Sequence, residues 1–364
     1  MPYKDNHNIL GLIENGTIRL RMSRMLTFDP PGHANCIDPD KVEGMLLGLA
    51  VGDALGNTSE SMTAEVRRSH YGIIKGYLPG FFSDGQPLGL PSDDTQMAFW
   101  TLEHLLNDSQ LDPAALIEIL ATRRINGIGL SVSRALNRFR SGKQWYESGV
   151  DSAGNGAIMR IAPIILPYLN NPSADLWLDT IAAVVITHND PTSTACCVAY
   201  VDILWSILGG TWENDPKWLV DRFCNTVSEL EGDTVIKSRS DTAKYSGTLS
   251  DFTRQQLTQA LNENWSIETA CIRWGSGAYL LETIPCMLYI LCKHLNDFET
   301  AVTSAVNATF DNDTIASLVA TLSGAIHGKS SITDRWLENL PGQVSSMDNI
   351  TIYDLIEQAN RKWE

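Results

Sequence analysis

Four glycines at four-residue spacing, Gly44, Gly48, Gly52 and Gly56, sit in an otherwise apolar run that turns helical from Val42. Residues four apart share one face of an α-helix, so this run predicts a helix with a smooth glycine stripe. Each glycine inside a helix costs roughly 1 kcal/mol relative to alanine. Something in the fold must offset that cost. Two explanations are open: close approach of another helix, or close approach of backbone to a ligand.

Two short acidic clusters, Ser92-Asp93-Asp94-Thr95 and Asp311-Asn312-Asp313-Thr314, each open a segment of helical periodicity, although more than two hundred residues separate them. A single Asp at a helix start is explained by capping and the helix dipole. Two adjacent carboxylates exceed what capping needs, and a second such pair elsewhere points to a shared cation. Carboxylates with flanking hydroxyls offer only hard oxygen ligands, the set suited to magnesium, manganese or calcium rather than zinc or copper. Brought within ~4 Å, like charges repel by on the order of 4 kcal/mol at an effective dielectric of 20, so convergence of the clusters would imply bound metal.

Apolar residues recur at helical intervals after both clusters, at Met97, Ala98, Leu102, Leu105 and Leu106, and at Ile315, Leu318, Val319, Leu322 and Ile326, with Gly328 closing the second helix. Ser92 is suited to the N-cap of the first. Further helices are expected near 112–124, 176–186, 192–208, 217–230, 279–295 and 298–308. Strand-like runs are few, and 237–251, rich in Ser, Thr and Gly, reads as a surface loop. The expectation is an all-α fold: an N-terminal arm over residues 1–41, broken at Asp29-Pro30-Pro31-Gly32, followed by one domain over 42–364.

The 364 residues are 43% hydrophobic and 19% charged, the make-up of an ordinary globular chain with a large core. Net charge is −16 with no Lys/Arg stripe, which argues against direct binding to bare nucleic acid. Seven scattered cysteines lack any Cys-x-x-Cys spacing and read as reduced core residues. No apolar run follows the first basic residue, so no secretory signal is read. The stretch Tyr279 to Cys292 is broken by Glu282 and Pro285 and falls short of the roughly 20 residues that span a bilayer. A soluble, cytoplasmic protein is expected, with no membrane partner.

Weaker signals stand alongside. Glu60 follows the glycine-striped helix, where an ordinary solvated carboxylate is the simpler reading. Gly154-Asn155-Gly156 precedes an apolar run, and its backbone N–H groups could cradle a diphosphate, although such a triplet is also a common tight turn. His188 lies between two helices. Gly324 to Ser330 resembles a phosphate-binding loop but is one residue short and ends a helix where the true motif begins one. There is neither a Gly-x-Gly-x-x-Gly after a strand nor a Gly-x-Ser-x-Gly elbow, which removes dinucleotide oxidoreductases and serine hydrolases.

In order along the chain, Gly44-Met-Leu-Leu-Gly-Leu-Ala-Val-Gly-Asp-Ala-Leu-Gly56, Ser92-Asp-Asp-Thr-Gln-Met97, Gly154-Asn-Gly-Ala-Ile-Met-Arg160, Thr187-His188 and Asp311-Asn-Asp-Thr-Ile-Ala316 resemble the ADP-ribosylglycohydrolases over about residues 42–330. The resemblance implies an all-α orthogonal helix bundle with two magnesium ions, manganese being a possible substitute. It implies that Ser92, Asp93, Asp94, Asp311, Asp313 and Thr314 are the metal ligands, Ser92 replacing a more usual Thr. Glu60 then matches a carboxylate of acid/base and substrate-holding roles, and either Glu60 or Asp311 shuttles the proton. Ser152, Gly154, Asn155 and Gly156 fall where relatives bind diphosphate and ribose, His188 falls near the adenosine end, and Gly127 and Gly129 resemble a second glycine loop facing the substrate.

The implied activity is hydrolysis of ADP-ribose from a modified protein side chain, with arginine expected. Thr309-Phe310 stands where relatives usually carry Gly-Gly, so a bulky ring is expected to line the site. Gly127 stands where some arginine-directed bacterial relatives carry Asp, which leaves the acceptor open. A different role is also open: residues 1–41, through Leu10, Ile13, Ile18, Leu20 and Met25, could bind and occlude an ADP-ribosylating toxin, making the chain an immunity protein.

Overall fold

A computed structural model describes residues 7–80, 83–108, 110–239, 244–345 and 350–363. It is built from helices: α1 (His7–Glu14), α2 (Pro39–Gly56), α3 (Ala64–Tyr71), α4 (Asp93–Asp108), α5 (Pro113–Thr122), α6 (Leu130–Arg140), α7 (Trp145–Ser148), α8 (Asp175–Val185), α9 (Pro191–Leu208), α10 (Pro216–Glu231), α11 (Leu249–Asn262), α12 (Ile267–Trp274), α13 (Leu280–Lys293), α14 (Phe298–Ala308), α15 (Asn312–His327), α16 (Asp334–Leu337) and α17 (Ile352–Trp363). The all-α expectation holds. The one ladder among the described residues pairs Ile236 with Gly247 and Lys237 with Ser246, antiparallel.

Three helices that are apolar all round form the centre, as the composition of such helices requires. On α2, every residue from Gly44 to Gly56 is buried, and on α15 every residue from Asn312 to Ile326. The third, α9, is tied to α15 by the Tyr200 hydroxyl, which donates to the Leu318 carbonyl at 2.9 Å. Among the described residues α9 is also the helix long and apolar enough to cross a membrane, and 94% of it is buried inside the protein.

The glycine stripe meets a helix. A Cβ added at Gly48 would lie 2.3 Å from the Ala320 carbonyl oxygen, one at Gly52 would lie 2.3 Å from that of Ala316, and one at Gly56 would lie 2.4 Å from the Asp313 backbone. The order along α15 is reversed, so α2 and α15 run antiparallel with their backbones in contact. That contact sets the N-terminal turn of α15, and with it Asp313, against the C-terminal turn of α2.

Residues 237–251 are only partly the loop expected. The chain pairs at 236–237 and 246–247, and α11 begins at Leu249, with Thr248 capping it by accepting from Asp251 N–H. Residues 240–243 lie outside the described set. The arm also contains structure. Helix α1 buries Ile9, Leu12 and Ile13, and beyond it Ile18, Leu20 and Leu26 are buried as well. Polar contacts fix its course over α8, α9 and α10: the indole N–H groups of Trp177 and Trp205 donate to the Phe28 and Pro31 carbonyls, and Arg21 N–H donates to Leu230.

Burying one Leu or Ile side chain is worth about 1.5–3 kcal/mol, and Ile9, Ile18 and Leu26 are each 0% exposed. A chain that starts at residue 36 is therefore expected to unfold at a temperature at least ~5 °C below that of the full chain. Thermal unfolding followed by circular dichroism measures this; coincident curves would mean that the arm adds no stability.

Candidate active site

The first acidic cluster is held by a residue outside it. Asp53, fully buried near the end of α2, accepts from Ser92 N–H (3.0 Å), Ser92 Oγ (2.6 Å), Thr95 N–H (3.1 Å), Thr95 Oγ1 and Asn57 Nδ2 (3.1 Å). Burial raises the pKa of Asp53, while the bonds from Ser92 and Thr95 oppose the rise. The expected cap of α4, the Ser92 hydroxyl, is thus itself a donor, and a carboxylate from α2 takes the first-turn N–H groups. A charged acceptor is the stronger partner for those groups. As a result Asp93 and Asp94 are left over from capping, and both are buried.

The second cluster meets the first. The Thr314 hydroxyl donates to Asp94 Oδ2 at 3.2 Å. Asp311 occupies the N-cap position of α15 but makes no side-chain capping bond. Its carboxylate instead joins those of Glu60 and Asp313, the three offering oxygens within 4.8 Å of one another. Asn312 turns away and donates to Ser59 Oγ and the Val306 carbonyl. Glu60 is exposed, whereas Asp311 and Asp313 are buried.

Negative charge gathered out of water shifts every member. Burial is the main cause for Asp93, Asp94 and Asp313, with pKa values well above the usual carboxylate range, and neighbouring carboxylates push the same way. Asp311 is pushed up to about 7 by burial, against a lowering bond from Asn155. Glu60, exposed as a residue but with its carboxylate drawn up to the group, is raised by partial loss of hydration and then by Asp53. One oxygen, Asp94 Oδ1, is buried with no hydrogen-bond partner. A buried carboxylate oxygen without a donor is costly, and the charges that act on Asp94 are the carboxylates of Asp53, Asp313, Asp93 and Asp311. This donor set fits a hard divalent cation.

The glycine turn is joined to the acidic group. Asn155 Nδ2 donates to Asp311 Oδ2 (2.5 Å) and to Thr283 Oγ1 (3.1 Å), which ties the turn to Asp311. Ser152 Oγ accepts from Gly154 N–H and lies 2.9 Å from Ser131 Oγ. His188 stands behind the turn, 1% exposed; Cβ atoms at Gly154 and Gly156 would come 3.5 and 3.2 Å from its ring. Burial, then the charge of Arg160, lowers its pKa to about 3, so the ring is neutral. Its Nδ1 lies 3.0 Å from Thr187 Oγ1, which accepts from the Arg160 guanidinium. Gly127 faces the other cluster: a Cβ there would lie 3.4 Å from Asp93 Oδ1, and its φ of +74° is a left-handed conformation that favours glycine. Gly129 caps α6 and has open space on its Cβ side.

The sequence model of the family described as ADP-ribosylglycohydrolase matches residues 36–363. The chain belongs to the ADP-ribosylglycohydrolase family. It is 28% identical over 309 residues to the ADP-ribosyl-[dinitrogen reductase] glycohydrolase of Rhodospirillum rubrum, covering 84% of this chain and 92% of that one. It is 24% identical over 315 residues to an ADP-ribosylarginine hydrolase of Pseudomonas putida, covering 83% and 74%. A solved structure titled ADP-ribosylglycohydrolase-related protein complex shares the fold with a TM-score of 0.64 at 24% identity, covering 88% of this chain and 96% of that one. Family membership makes the chain a hydrolase of ADP-ribosylated substrates.

Three residues of this glycohydrolase site had no role assigned from sequence. Asp53 and Thr95 lie inside the motifs but are single polar residues beside more conspicuous ones. Gln96 is the third: its Oε1 accepts from Asn126 N–H at 2.8 Å and its Nε2 donates to the Val344 carbonyl, holding the loop that carries Gly127 against α4. Thr95 and Gln96 directly follow the acidic pair of α4, a signal of position, whereas Asp53 stands far from either pair in sequence and carries no such signal.

Proposed function

We propose that this glycohydrolase is magnesium-dependent and removes ADP-ribose from arginine side chains of proteins modified by an ADP-ribosyltransferase. The support is the meeting of two remote acidic clusters around a buried carboxylate oxygen that has no donor. Ser92, Asp93, Asp94, Asp311, Asp313 and Thr314 would hold two magnesium ions, with manganese as a substitute. Bound there, such ions supply Lewis acidity that orients the ribose diol and makes water a better nucleophile near neutral pH.

The chain's own residues account for the remainder. Backbone N–H groups of Asn155 and Gly156 take the diphosphate, with Ser152 bracing the turn through Gly154 N–H and neutral His188 positioning it from behind. Gly127 and Gly129 keep the opposite wall low enough for the ribose to approach Asp93. Hydrolysis replaces the bond from ribose C1 to the guanidine nitrogen with one to a water oxygen, and the water proton ends on the leaving nitrogen. Asp311 suits the transfer by position: Asn155 holds its Oδ2 and so orients the carboxylate that would move the proton. Glu60, exposed at the rim, holds the departing group. The setting proposed is the cytoplasm, where free thiols persist.

The arm offers less to an occluding role. Ile13, Ile18 and Leu20, three of its five candidate anchors, are buried in this chain and are not free to enter a toxin.

Incubating protein carrying ADP-ribosylarginine with magnesium and either wild type or Asp311→Ala tests the hydrolase reading. Wild type is expected to release ADP-ribose and the variant to be slower by at least about a hundredfold. Equal release by both, or none by wild type, would overturn it.

A further inference from the structure

Phe310 is 41% exposed, although Thr309 and Asp311 on either side of it are 0% and 5% exposed. An exposed aromatic ring between buried neighbours forgoes part of the apolar burial worth about 1.5–3 kcal/mol to such a side chain. Hydrogen bonds hold the backbone that carries the ring. Phe310 N–H donates to Ser276 Oγ at 3.0 Å, its carbonyl accepts from Ser61 N–H at 3.0 Å, and Asp311 N–H donates to the Ser276 carbonyl at 2.8 Å. Ser61 directly follows Glu60 and has φ +63°, a left-handed conformation that is uncommon outside glycine. The bond to Phe310 is what the backbone offers to hold it there. Phe310 is therefore stitched to two carboxylates of the acidic group, buried Asp311 by chain continuity and exposed Glu60 through Ser61.

The turn at Gly154–Gly156 reaches Asp311 through Asn155. If the diphosphate lies on that turn and the ribose on the carboxylates, the acceptor side chain leaves past the exposed rim formed by Glu60, Ser61 and Phe310. A guanidinium is planar and weakly hydrated, and it stacks on aromatic faces. Glu60, exposed and outside the residues proposed to hold metal, adds attraction for a cation and none for a neutral hydroxyl-derived acceptor.

We propose that the Phe310 ring is the platform on which the acceptor guanidinium stacks, so that Phe310 sets the preference for arginine-linked over serine-linked ADP-ribose. This rests on the hydrolase reading above and adds the residue that chooses the acceptor.

Matched peptides carrying ADP-ribosylarginine or ADP-ribosylserine, with wild type, Phe310→Leu and Phe310→Tyr, test it, with methylguanidinium as a competing probe. For Phe310→Leu the arginine-linked kcat/KM is expected to fall about five- to tenfold, mostly in KM, with methylguanidinium inhibition weakened by the same factor. Turnover of the serine-linked peptide and the melting temperature stay unchanged, and Phe310→Tyr stays within about twofold of wild type because it keeps the ring. Equal losses on both peptides, unchanged inhibition by methylguanidinium, or a Leu variant as selective as wild type overturns the role of Phe310 and leaves the hydrolase reading standing. Release from neither peptide by wild type removes both together.

Discussion

Asp313→Asn is expected to abolish turnover and yet make the metal-free protein more stable. The side chain is nearly isosteric, so the fold is not disturbed by volume. What changes is charge: Asp313 is buried against Asp311, Glu60 and Asp53, and these carboxylates raise one another's pKa values after burial has done so. Two like charges at ~4 Å cost up to about 4 kcal/mol at an effective dielectric of 20, and partial protonation leaves only a fraction of that to be removed. Each kcal/mol removed is worth roughly 2–4 °C in Tm for a chain of this size. Activity is expected to fall by at least about a hundredfold, beyond the 10–100-fold that loss of an outer partner of a metal ligand costs. Thermal unfolding in chelator, with and without added magnesium, reads stability and metal response together. A variant less stable than wild type in chelator, or one still stabilised by magnesium to the wild-type extent, would refute the account of the cluster.

The same groups fix a pH dependence. Asp311 moves from the usual carboxylate value of 3.8 to about 7 on folding, and Asp93, Asp94 and Asp313 move in the same direction. The folded, metal-free chain therefore binds more protons than the unfolded chain between those limits, and its stability falls as pH rises from about 4 through 7. Cations bind the deprotonated carboxylates, so the gain in Tm on adding magnesium should grow over the same interval. Asp313→Asn should flatten both slopes.

Long apolar periods made the central helices legible in advance, and α2, α9 and α15 lie close to where their apolar residues recur. Helix α11 was hidden because Ser250, Asp251, Thr253, Arg254, Gln255 and Gln256 mask the spacing of Leu249, Phe252 and Leu257. Helix α17, outside the helices expected from sequence, carries a legible pattern: Ile352, Leu355, Ile356 and Ala359 are its buried face, at the intervals an amphipathic helix requires. At the site, paired carboxylates stood out because one Asp would have satisfied each helix start. Asp53 did not, since a single acid inside an apolar run says nothing about which distant N–H groups it will meet. The burial of His188 behind the glycine turn depends on Arg160, which comes close to the Thr187-His188 pair only in the folded chain. The glycine stripe likewise had two readings until its partner helix was seen.

That stripe carries the second large effect, because it links stability to the site. Gly52→Ala would gain roughly 1 kcal/mol in helix propensity on an isolated helix. Here the added Cβ would lie 2.3 Å from the Ala316 carbonyl oxygen and 2.6 Å from the Ser317 nitrogen, both backbone atoms with no rotamer to yield. Overfilling a close contact costs typically 1–3 kcal/mol or more, and relief comes only by moving α15 off α2. Such a movement carries Asp313 and Thr314 away from Asp94, which is held through α4 to the neighbouring Asp53. Gly52→Ala is therefore expected to lower Tm by several degrees and to reduce magnesium-dependent turnover more than tenfold, even well below the melting temperature, since small displacements of a metal-binding group are costly to rate. Gly11→Ala is the matched control: it lies inside α1, has nothing within 4 Å of its Cβ position, and should leave activity unchanged while holding or slightly raising Tm. If both substitutions behave alike, the stripe is a matter of helix propensity alone, and the antiparallel contact of α2 with α15 is not what aligns the two acidic clusters.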